Sequence, residues 1–286
     1  MVPARRRSPN RRDRIALRPM TVRLLSCSAM LLLGWMLRPT VMMAAPSVVA
    51  TLPPLAGMVR LLDPELAPDC LLGASADPHL MRITPRQAAA LRRARLLLRS
   101  SGDDGGWRGL APRAGTVLDL WPDRHHAWLV PAWVRRRLPA LADALVRRGL
   151  LPAAERDARL ARASARLDAL EAGWRRLLAP WRERGVIMQH PAWRALMRHF
   201  GVAVRAVLEP SHHGEGAGPR RLERALRLLR GSDPPLLLVE ESHGNRMIDW
   251  LRARVQDARV VRLNALGRCG LPLDRLMADN QSRWPR

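Results

Sequence analysis

Apolar positions in this chain come in short blocks separated by longer amphipathic stretches. The blocks are Ser47–Thr51, Cys70–Gly73, Arg95–Arg99 and Thr116–Leu120, then Val186–Gln189, Val202–Leu208, Leu236–Glu240 and Arg259–Leu263. Each has the length of a buried strand, and each is followed by residues with helical spacing. Strands alternating with helices predict parallel sheets covered on both faces, which is the α/β class. Two quartets of blocks predict two lobes of similar pattern, although no strict sequence repeat relates them.

Between the quartets, Ala153–Ala179 carries Leu160, Leu167, Leu170, Trp174 and Leu177 at threes, fours and sevens, and Trp181 continues the series. Pro152 stands at the start and Pro180 near the end. That is one apolar face on a helix of roughly 40 Å, at about 1.5 Å per residue, long enough to pack along two lobes. The expected organisation is residues 1–45 as a signal peptide or N-terminal anchor, 46–150 as an N-terminal α/β lobe, 151–183 as the spanning helix and 184–286 as a C-terminal α/β lobe. Ser100–Gly106 and His212–Gly218 read as loops.

The leader reading rests on order: an Arg-rich start, the apolar stretch Leu24–Leu37, then Ala44-Ala45 before Pro46. The stretch is shorter than the roughly 20 apolar residues a membrane span needs. Arg38 interrupts it and Met43 precedes the small residues, so cleaved signal and retained anchor both stay open, as does Met20 as the true start. Cys27 lies at the front of the apolar run rather than its end, which discounts lipidation. Export would put Cys70 and Cys269 in an oxidising compartment where they can pair, yet spacing alone gives no warrant, and buried free thiols are the plainer reading.

Composition adds one constraint. The chain carries +24 from 49 basic residues, all Arg. The first 45 residues hold nine Arg against Asp13, a net of +8, which leaves +16 spread over helices where Arg alternates with Ala, Leu and Glu. No basic stripe interleaved with aromatics and no nucleic-acid motif occurs, so the excess reads as solvated helix faces rather than a nucleic-acid surface.

Candidate chemistry follows from position. In parallel sheets ligands gather beyond the carboxyl ends of the strands. His79 follows the block ending at Gly73, His126 follows Thr116–Leu120, and His190 closes Val186–Gln189. Three imidazoles from separate loops suit zinc, which takes three or four N, O or S ligands at about 2.0–2.3 Å. Glu240 and His243, at another strand end, are accessory candidates. His199, inside a helical stretch beside Phe200, reads as structural, and His212-His213 as a solvated loop, with weak metal collection by His125, His212 and His213 as the alternative. Asp77-Pro78 sets a turn before His79.

From Val48 to Gly267 the chain resembles the zinc/manganese ABC-transporter solute-binding proteins of the ZnuA/TroA-like cluster (cluster A-I). VVATLPPLAGMVRLL, from Val48 to Leu62, is similar to the family's opening strand and helix. ADPHLMRITPRQAAAL, HAWLVP and HPAWRALMRHFGV are similar to the segments carrying its three histidine ligands, which implies His79, His126 and His190. Glu215–Leu222 resembles the Glu-Pro-Ser-Pro-x-x-Leu segment, and Leu236–Glu240 the strand that ends in Glu.

Departures bear on affinity. Asn264 stands where zinc members commonly have Asp, which implies a weak fourth ligand or a water in its place. Val130 replaces the signature Asp, Pro191 replaces the Asp after the third His, and the long His-rich loop is missing.

The resemblance implies a TroA-like fold and a monomeric periplasmic receptor that is not an enzyme. It would capture Zn²⁺, less readily Mn²⁺, between its lobes and deliver it to an ABC permease driven by an ATPase. It touches the membrane only through that permease or an uncleaved leader, and it binds no nucleic acid. The alternatives are a zinc-dependent hydrolase using Glu240 or Glu215 as general base, and a divergent member with weakened metal binding.

Overall fold

The computed structural model describes residues 48–73, 83–100, 110–113, 115–209, 218–244 and 246–285. The leader region, His79, Glu215 and both predicted loops, apart from their end residues Ser100 and Gly218, lie outside the described residues.

Seven of the eight apolar blocks contain a strand, and the eighth, Cys70–Gly73, meets β2 only at Cys70. β1 (Val48–Ala50), β2 (Asp69–Cys70), β3 (Leu96–Arg99) and β4 (Thr116–Asp119) form one sheet in the order β2-β1-β3-β4. β5 (Val186–Met188), β6 (Val204–Val207), β7 (Leu236–Glu240) and β8 (Val260–Leu263) form a second in the order β6-β5-β7-β8. Every pairing is parallel, with Val48 opposite Leu96, Leu96 opposite Thr116, and Leu237 opposite Val260. β1, β5 and β7 are buried at every position, which is why they read as unbroken apolar runs rather than alternating ones.

The two sheets share one winding order. In the first sheet β3 and β4 are locked at their carboxyl ends by the fork of Arg99, whose Nε and Nη2 donate to the two oxygens of Asp119 at 2.7 and 2.8 Å.

Helices cover the sheets. They are α1 (Pro53–Leu62), α2 (Pro85–Arg93), α3 (Pro131–Arg147), α4 (Arg156–Leu178), α5 (Arg194–His199), α6 (Pro219–Leu229), α7 (Arg246–Arg252) and α8 (Leu273–Ser282). Thr84 starts α2 with a reciprocal cap: its hydroxyl accepts from the Gln87 N–H while the Gln87 side chain accepts from the Thr84 N–H.

α4 is the long helix expected from the sequence, 23 residues with single 3₁₀ turns at Ala153–Glu155 and Ala179–Trp181. It buries Ala163, Leu167, Leu170, Gly173, Trp174 and Leu178 and packs against α1, α3 and α8. The last helix therefore returns to the front of the chain: α8 packs on α1 as well as on α4. Gly57 permits that approach, since a Cβ there would lie 2.8 Å from the Leu271 carbonyl oxygen. Among the described residues no helix is long and apolar enough to cross a membrane.

Cys70 and Cys269 form a disulfide. It joins the end of β2 to the loop between β8 and α8, 199 residues away in sequence. The plainer expectation of free thiols is corrected: α8 folds back over α1 and brings its leading loop beside β2.

Candidate metal centre

Four loops beyond the carboxyl ends of the second sheet converge. His190 follows β5, Glu209 follows β6, His243 follows β7 and Asn264 follows β8. His126 comes to the same place from the loop after β4 of the first sheet.

Ligating atoms of His190, Glu209 and His243 all lie within 4.8 Å of one another. A tetrahedral ion with bonds of about 2.0–2.1 Å holds its ligand atoms roughly 3.3 Å apart, so closing onto an ion requires a contraction of about 1.5 Å or less. The His190 ring stacks on His243 at 4.5 Å between centroids and meets the His126 ring edge-on at 5.7 Å. His190 is 7% exposed, whereas Glu209 and His243 are half-buried. The cluster thus has a buried floor and an open side.

Local sequence sets these side chains. His126 is, among the described residues, the one non-glycine with positive φ, at 51°. His is among the few residue types that tolerate this left-handed conformation. The turn starts the 3₁₀ segment Ala127–Leu129, which runs into α3 and buries Trp128 beneath His126. His190 stands immediately before Pro191, which opens the turn leading to α5. Gln189, fully buried, donates from Nε2 to the Gly244 carbonyl at 2.7 Å and to Glu209 Oε1 at 3.4 Å, tying the loops of Glu209 and His243 together.

Beneath the cluster runs a polar strut. Trp128 Nε1 donates to the Ala265 carbonyl at 2.7 Å, the Ala265 N–H donates to Glu240 Oε1 at 2.8 Å, and Trp193 Nε1 donates to Glu240 Oε2 at 3.1 Å. Both Glu240 oxygens are therefore engaged, and the residue braces the site rather than offering a free ligand atom. Burial pushes the Glu240 carboxyl up to about 7, against the opposing pull of the Ala265 and Trp193 donors.

Asn264 is likewise turned to its own loop. Its Oδ1 accepts from the Leu266 and Gly267 N–H groups at 3.0 and 2.6 Å, and its Nδ2 donates to Glu241 at 2.9 Å. Asn280 of α8 clamps the Asn264 backbone at both its N–H and its carbonyl. His199 is tied to Glu171 of α4 at 2.6 Å.

Glu209 is the residue that reasoning from sequence missed. It directly follows the apolar block Val202–Leu208, so the strand-end rule that singled out the histidines points to it equally. A carboxylate here restores the negative charge that Asn264 lacks.

Residues 48–274 match the model of the family described as "Zinc-uptake complex component A periplasmic". The chain belongs to this family. Its fold is shared by solved structures. The crystal structure of ZnuA is 21% identical, with 82% of this chain and 96% of that one covered at a TM-score of 0.69. The solute-binding protein FpvC from Pseudomonas aeruginosa in complex with Mn²⁺ is 19% identical, covering 82% of this chain and 95% of that one at 0.65. A mutant of the laminin-binding adhesin Lmb from Streptococcus agalactiae is 16% identical, covering 84% and 99% at 0.67. Among curated protein sequences, no relative matches.

Proposed function

We propose that this protein is the periplasmic receptor of an ABC-type metal importer. It captures a divalent transition metal, zinc in preference to manganese, and delivers it to a membrane permease driven by an ATPase. The observation that carries this reading is the convergence of His190, Glu209 and His243 on one point, with the His126 ring against His190. His79 is retained as a further ligand on the family pattern, and Asn264 as the organiser of the loop over Glu240.

A set rich in imidazole with one carboxylate suits zinc better than manganese, which favours oxygen ligands. With two neutral imidazoles and one carboxylate the loaded site holds +1 rather than +2, which eases placing the ion over a buried floor. Ligands bind deprotonated, so loading releases protons and weakens on acidification.

Isothermal titration with Zn²⁺ and Mn²⁺ tests the assignment. His190→Ala and Glu209→Ala should each lower zinc affinity by about tenfold or more while leaving the far-UV spectrum unchanged. Affinity unchanged in both variants would reject the site.

A further inference from the structure

Beside the cluster, between the loop after β4 and α5, lies a cavity of about 330 Å³. Its wall includes His126, whose ring meets that of His190 edge-on, and Pro191, the neighbour of His190 in sequence. Among the described residues three exposed guanidinium groups line it, from Arg124, Arg194 and Arg198, with one carboxylate, that of Asp123. Among the described residues none of the three arginines is paired with a carboxylate; Arg124 lies over the Trp133 ring at 4.5 Å, which holds it in place.

This is an odd neighbour for a site that collects bare cations. Among the described residues the rim that a divalent ion passes on the way to His126 has a surplus of two positive charges, on a body that carries +16 beyond its first 45 residues. Such a field slows and weakens capture of a free cation and favours an anion. Guanidinium forks recognise carboxylates in bidentate geometry, and the cavity is at the small end of the range for small-molecule sites.

We propose that the protein takes its metal as an anionic polycarboxylate chelate, with the ion on the His190, Glu209 and His243 cluster and the carboxylates of the chelator held by Arg194 and Arg198. Arg124, fixed on Trp133, closes the far wall. This rests on the metal-receptor reading, and its test separates the two.

Zinc is buffered to the same free concentrations by citrate or by a cationic polyamine complex, and occupancy is measured by equilibrium dialysis with labelled citrate and labelled zinc. The proposal predicts half-occupancy in citrate at about tenfold lower free zinc than in the polyamine, a gain that one charge-assisted hydrogen bond can supply. It also predicts that citrate is retained in equal amount with zinc, and only when zinc is present.

The Arg194→Gln/Arg198→Gln double variant should lose citrate retention and the tenfold gain. Its zinc affinity in polyamine should equal or exceed that of the parent, because neither arginine belongs to the ligand set and their removal lifts only the unfavourable field. Equal occupancy in the two buffers, citrate bound without zinc, or a double variant that behaves as the parent overturns the chelate proposal and leaves the metal receptor standing. Absence of zinc in either buffer overturns both.

Discussion

Glu240 is the residue on which the centre turns, although it holds no free ligand atom. Its two oxygens join the loop after β8 to the turn after β5, and Trp128 extends the link to the loop of His126. The sequence placed Glu240 at a strand end and left it as an accessory ligand. What could not be read was that two N–H donors already claim its oxygens, since both come from residues more than twenty positions away.

Its raised pKa makes a stability statement with a definite sign. The native carboxyl keeps its proton up to about 7, whereas the unfolded one loses it near the ordinary value of 4.5. Between those limits the native state binds more protons, so this group's contribution to stability falls as pH rises from about 4.5 to about 7 and is level above. Chemical denaturation of the metal-free protein across that range, beside Glu240→Gln, should show the parent losing stability relative to the variant. Parallel pH profiles would show that the carboxyl titrates normally.

At the level of elements, β1, β3, β5, β7 and the long helix were legible because each is a buried run or a single apolar face, and burial leaves a local signature, whereas β2, β4, β6 and β8 are partly exposed and were read from their place between helical stretches. The packing of α8 on α1 and the Cys70–Cys269 bridge were not, because contacts between the two ends of a chain leave no periodicity. Glu209 fell between these cases: its strand was plain, but attention to imidazoles and to the acidic segment at Glu215 passed over it.

The disulfide joins β2 to the loop that leads into α8, so it fixes an element of the first sheet to one that follows the last strand of the second. Closing a loop of this length restricts the unfolded chain strongly, and loss of such a bridge typically costs about 2–5 kcal/mol. Cys70→Ser/Cys269→Ser, or the parent under strong reductant, should unfold at lower denaturant by that margin. An unchanged midpoint would show that the α1–α8 packing holds the two ends together unaided.

For the whole molecule, two parallel sheets share one winding order, and the loop after β4 meets the carboxyl-end loops of the second sheet at one centre, while α4 and α8 pack on each other and on α1. Family membership agrees with this layout, and the features that set its chemistry are local: Glu209 and His243 beside His190, Asn264 turned into its loop, and an arginine-lined cavity next to His126. The most direct measurement is a crystal of the zinc-soaked protein with diffraction data collected on both sides of the zinc absorption edge. The account predicts one strong anomalous peak, bonded at about 2.0–2.2 Å by His190, Glu209 and His243, with His126 at or next to it. A peak elsewhere, or none within reach of His190, would contradict it.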